Sequence, residues 1–88
     1  MKRAHVHVRG RVQGVFFRVE TRDRARSLDV AGWVRNAAGG EVEAVFEGDD
    51  ARVESMVDWC HSGPAGAAVE GVEVAWEEPR DEAGFDVR

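Results

Sequence analysis

Gly10-Arg11-Val12-Gln13-Gly14-Val15-Phe16-Phe17-Arg18 joins two stretches of different period. Before it, Ala4, Val6 and Val8 alternate with His5, His7 and Arg9, the pattern of a half-buried strand. After it, Phe17, Thr21, Ala25 and Leu28 recur at helical spacing and make one packing stripe. The nine residues are therefore a strand-to-helix loop with two glycines and an arginine just inside the helix. Glycines let backbone N–H groups approach a ligand and point the same way. A helix start leaves N–H groups without partners and carries partial positive charge, which suits a phosphate. Arg18 would add a planar, permanently charged donor fork. The same residues also suit a plain turn beside a solvated arginine. Their spacing is neither that of the loop ending in Gly-Lys-Ser/Thr nor Gly-x-Gly-x-x-Gly.

With 88 residues the chain is expected to form a single small domain over 1–88, with a surface cleft rather than a deep pocket. There is no apolar run long enough for a membrane span, and Met1-Lys2-Arg3 is not followed by the apolar stretch of a signal peptide. The single cysteine, Cys60, cannot form an internal disulfide, which points to a reducing cytoplasm. The net charge of −5 argues against nucleic acid or an anionic membrane as partner. The charge is uneven. Residues 2–26 hold eight basic and two acidic side chains, a net +6, which leaves −11 for the rest. A positive site on a negative body would attract a small anion, although Arg22, Arg24 and Arg26 equally fit a solvated helix face. Eleven of the twelve basic residues are arginine, and carboxylates number 17. That composition fits a salt-rich cytoplasm, or simply a GC-rich genome.

In chain order, the pattern predicts a strand over 3–9, a helix over 16–28, a strand over 31–37, a Gly-Gly turn at 38–40 and a strand over 41–47. A second helix opens at Gly48-Asp49-Asp50 and runs through 61, capped by either aspartate. A strand follows over 68–77, and Phe85-Asp86-Val87 is a short last strand. Val42, Ala44 and Phe46 are expected to face the core, and Glu41, Glu43 and Glu47 to face away. Cys60 falls on the apolar stripe of the second helix and reads as a buried hydrophobe, not a nucleophile. His5 and His7 stand at i, i+2 on the outer face of the first strand. They could begin a metal site, but no third ligand lies at a recognisable spacing, so no metal residue is assigned. The order strand, helix, strand, strand, helix, strand is that of the ferredoxin-like α+β fold: an antiparallel βαββαβ sheet, two helices on one face and a short extra C-terminal strand.

The loop motif, together with Gly32-Trp33-Val34-Arg35-Asn36 and the spacing of eighteen from Arg18 to Asn36, resembles the acylphosphatase family. The similarity extends through Gly40–Ala44, Gly63-Pro64, Val72–Glu78 and Phe85–Arg88, nearly the whole chain. Asp29 departs from it, standing where the family usually has a helix-stopping glycine.

The resemblance implies hydrolysis of a small acyl phosphate to a carboxylate and phosphate. It makes Arg18 and Asn36 the catalytic residues, the first binding the phosphoryl group and the second positioning water. Gly10, Arg11, Val12, Gln13, Gly14, Val15, Phe16 and Phe17 would form the substrate cradle, acting mostly through backbone. No cofactor is implied, and a monomer is the default for so small a domain. For the first loop and the end of the second strand to meet, those two strands are expected to be neighbours. Two alternatives stand beside this reading. One is an RNA- or effector-binding module on the same fold, which the acidic third and fourth strands oppose. The other is a domain of a carbamoyl-transfer maturation system, which belongs in longer chains.

Overall fold

Ala4, Val6 and Val8 project from one face of β1 (Lys2–Arg11) and are fully buried. The computed structural model describes residues 1–88. After β1 come α1 (Phe17–Ser27), β2 (Ala31–Asn36), a one-turn 3-10 segment (Ala38–Gly40), β3 (Val42–Gly48), α2 (Asp50–Cys60), β4 (Ala68–Glu77) and β5 (Phe85–Val87). The sheet order is β4-β1-β3-β2-β5. The inward residues of β1, β2 and β3 join Phe17 and Ala25 of α1 and Val53, Met56, Val57 and Cys60 of α2 in one core. This is the ferredoxin-like α+β arrangement, two helices packed on one face of the sheet.

Three details depart from the reading above. The sheet is mixed, not wholly antiparallel, because β5 pairs parallel to β2. β1 and β2 are not neighbours; β3 lies between them and pairs antiparallel to both. Glu43 and Glu47 do face away from the helices, but they are buried, at 6% and 2% exposure. Their cover follows from the strand order. β4 and β5 occupy opposite edges, so residues 78–84 must cross the helix-free face to connect them.

That crossover closes over a buried ion network. The Arg3 guanidinium donates to the carboxylates of Glu77 (3.0 Å), Glu82 (3.1 Å) and Glu47 (3.3 Å). Glu47 also accepts from the backbone N–H of Arg80 (2.6 Å) and of Glu82 (2.7 Å). Burial alone would raise the Glu47 pKa. These two amides and Arg3 outweigh burial and hold it below the ordinary value.

Helix ends follow local chemistry. Asp49 caps α2, its carboxylate accepting from Arg52 N–H at 3.3 Å. α1 ends in a Schellman motif: Asp29 N–H donates to Arg26 O and Val30 N–H to Ala25 O, with Asp29 at φ 57. Aspartate takes this left-handed conformation at a cost of about 1 kcal/mol relative to glycine, a stability effect remote from any chemistry.

Removing Glu47 leaves a buried guanidinium short of a partner and two amides unpaired. Glu47→Ala is expected to lower stability by about 3 kcal/mol in chemical denaturation. The lowered pKa sets the pH dependence. The contribution of Glu47 is complete above the ordinary glutamate value of about 4.5 and is lost as pH falls through the lower folded-state value. Unfolding free energy of the parent protein should therefore drop on acidification below that range. Glu47→Gln should show a shallower slope there.

Candidate functional site

β3 brings the two halves of the site together. Val42 pairs with Val8 of β1 on one side and with Asn36 of β2 on the other. Both flanking strands run antiparallel to β3, so they are parallel to each other and end at the same end of the sheet. The loop after β1 and the end of β2 meet there without being strand neighbours.

The nine-residue loop is built from unequal parts. Gly10 belongs to β1, at a bulge where the register with β4 shifts. A Cβ there would lie 2.2 Å from the Ala68 carbonyl oxygen, so this glycine serves strand packing, not the cleft. Arg11 is also in β1, exposed and paired with Ala68. Val12 is buried at the base of the cleft. Val15 packs half-buried against the core, and Phe17 is buried with its ring 5.4 Å from that of Trp59. Phe16 stands exposed at the start of α1 with φ 61 and offers no side-chain cap.

Gln13 departs from its expected backbone role. Its side-chain amide donates to Ala37 O (3.0 Å) and to Glu41 O (2.8 Å). It thereby straps the loop to the turn between β2 and β3, across the end of the intervening strand.

That geometry leaves a run of free donors. No backbone N–H from Gln13 to Val19 donates to a chain carbonyl; the first that does is Glu20 N–H, to Phe16 O at 3.0 Å. Of this run, Gly14, Phe16, Phe17, Arg18 and Val19 line a cleft of about 290 Å³ together with Val12 and Asn36. Six of the seven other basic residues of the N-terminal region are engaged elsewhere, and Arg11 is exposed on β1. Arg3 is in the buried network, Lys2 bonds Glu54, Arg9 pairs with Glu73 and Arg22 with Asp23. Arg24 lies over the Trp59 ring and Arg26 donates to Phe85 O. The +6 of residues 2–26 is thus dispersed, and Arg18 alone of those eight lines the cleft.

The acylphosphatase family model matches residues 4–87. The chain belongs to the acylphosphatase family. It is 57% identical over 86 residues to an acylphosphatase of Natronomonas pharaonis, covering 98% of this chain and 94% of that one. It is 60% identical over 83 residues to an acylphosphatase of Chloroflexus aurantiacus, covering 94% and 90%. Among solved structures, an acylphosphatase from Coxiella burnetii superposes with a TM-score of 0.94 at 39% identity, covering 99% of this chain and 92% of that one.

Away from the cleft, Cys60 is buried, and burial pushes its thiol up to about 12, far from a reactive thiolate. The helix-free face gathers His5, His7 and Glu43, a grouping that chain spacing conceals because the third member comes from β3.

The Gln13 strap yields a direct test. Gln13→Ala removes two hydrogen bonds and is expected to cost about 1–2 kcal/mol of stability. Backbone NMR order parameters should fall across residues 14–18 while the β1–β3 ladder keeps its amide protection. Unchanged order in the loop would mean that the strap does not hold it.

Proposed function

We propose that the chain hydrolyses acyl phosphates, with Arg18 binding the phosphoryl group and Asn36 positioning the attacking water. The observation that carries this reading is the cleft lined by Arg18, Asn36 and by Gly14, Phe16, Phe17 and Val19, whose backbone N–H groups have no partner in the chain. Family membership supports the reaction class.

The substrate is a mixed anhydride with a good carboxylate leaving group, so little acid catalysis is needed. The water oxygen bonds to phosphorus, the bond from phosphorus to the acyl oxygen breaks, and its electron pair leaves with the carboxylate. The proton lost by water passes to the released phosphate or to solvent. Charge on the three equatorial oxygens is met by amides of the loop and by the Arg18 fork. Of the nine-residue motif, Val12, Gly14, Phe16, Phe17 and Arg18 border the cleft; Gly10, Arg11, Gln13 and Val15 would act through the frame. Asn36 is a weak base but an effective orienter of water. The chemistry calls for no cofactor.

We further propose that residues 1–88 work as one domain and a cytoplasmic monomer, a reading supported by the lone, buried Cys60 thiol. On the helix-free face, where an RNA platform would present exposed stacking aromatics, stand Glu43, Glu47 and the crossover, and its tryptophan, Trp33, is buried beneath Arg35 and Arg88, which disfavours nucleic acid. The excess of carboxylates supports work in a salt-rich cytoplasm.

Benzoyl phosphate hydrolysis tests the site. Arg18→Ala is expected to lower kcat by about 1,000-fold or more, with no rescue by Arg18→Lys, whose point charge lacks the fork. Asn36→Ala should lower kcat about 100-fold with little change in KM. Near-parental turnover by Arg18→Ala, or a pure KM effect at Asn36, would reject these roles. For the salt reading, the melting temperature should rise from dilute buffer to molar NaCl; an unchanged value counts against it.

A further inference from the structure

We propose that His5, His7 and Glu43 form a divalent transition-metal site on the helix-free face, separate from the cleft. His5 and His7 project from the same face of β1, and Glu43 stands directly opposite His7 on β3. One ligand atom from each of the three lies within 4.8 Å of the other two. Both imidazoles turn Nε2 toward the same oxygen: Glu43 Oε2 is 2.5 Å from His5 Nε2 and 3.8 Å from His7 Nε2. A tetrahedral zinc ion with bonds near 2.0–2.1 Å needs ligand atoms about 3.3 Å apart, so modest side-chain rotation would admit it.

The surroundings match what metal-binding histidines require. A ligating imidazole donates its other N–H to a carboxylate, which fixes the tautomer and raises ligand basicity. Here His5 Nδ1 faces Glu77 Oε2 at 3.1 Å, and His7 Nδ1 faces Glu41 Oε1 at 3.4 Å. Each ring thus presents Nε2 to the shared centre with a carboxylate behind it. Glu43 is backed as well: Arg35 donates Nε (2.7 Å) and reaches with Nη2 (2.6 Å) to Oε1, leaving Oε2 for the centre. Trp33, 5.9 Å from His5 in edge contact, walls one side.

Two histidines and one carboxylate suit zinc, cobalt or another ion of intermediate softness rather than magnesium or calcium. His5 and His7 keep 27% and 40% side-chain exposure, so the ion can enter and retain water in its remaining position. The only thiol, Cys60, belongs to the helical layer and is buried there. It cannot compete for the ion.

Zinc titration of EDTA-stripped, full-length protein near about pH 7, followed by calorimetry and thermal melting, tests the site. The parent protein is expected to bind one equivalent of Zn²⁺ and to melt at higher temperature with it. Co²⁺ should give the visible absorption of a four-coordinate ion. His5→Gln and His7→Gln should each weaken binding at least about tenfold, and Glu41→Gln, which touches only the outer nitrogen of His7, also about tenfold. His61→Gln, at the end of α2, should change nothing. His7 is partly exposed, and circular dichroism would verify that its variant folds. No heat, spectrum or melting shift at up to about 1 mM metal would overturn the proposal. So would binding that survives His5→Gln and His7→Gln or disappears with His61→Gln. Either result would leave the three side chains as an ion-pair cluster alone.

Discussion

β1 and β2 run parallel to each other on the two flanks of β3, and the site depends on that constraint. A strand–helix–strand crossover that skips one position delivers both strand ends to the same end of the sheet. β3 then acts as a spacer of fixed width, and Gln13 spans it through hydrogen bonds to Ala37 and Glu41. The separation between the arginine at the start of α1 and the asparagine at the end of β2 is consequently set by sheet geometry, the stiffest part of the fold, rather than by loop conformation.

The central strand has no solvated face. Its inward residues meet the helices, and its outward ones are covered by the crossover and by neighbouring side chains. Cover on that side is charged rather than apolar. Buried carboxylates are tolerated because each has several donors: Glu47 has two amides and Arg3, and Glu43 has Arg35 and His5. The sheet thus separates an oily layer from an ionic one, with different responses to pH and salt.

Much of this was legible in the sequence. The bounds of β4 and β5, the aspartate cap of α2 and the packing stripes of both helices followed from period and from capping residues, because those are local signals. The loop motif and the Arg18–Asn36 spacing pointed to the cleft. What escaped depended on strand order. Alternation along β3 separates 42, 44 and 46 from 43 and 47, but it cannot reveal that a later segment buries the second set. The placement of β3 between β1 and β2, the parallel pairing of β5 and the meeting of His5 and His7 with Glu43 are long-range outcomes. Gln13 was read as backbone because nothing local shows that its side chain has two carbonyls within reach. Gly10 was assigned to the ligand when its surroundings are the Ala68 carbonyl.

The open edges of the sheet carry one more consequence. β4 is ten residues long and has a free side, a ready template for strand addition and hence for aggregation. Along it stand Glu70, Glu73 and Glu77; Glu73 and Glu77 are paired with Arg9 and Arg3 of the neighbouring strand, and these charged side chains make the edge a poor match for an apolar strand. The opposite edge, β5, has only three residues and offers too short a ladder to seed growth. One border is charged and the other short, and both features oppose the growth of a shared sheet between copies of this chain.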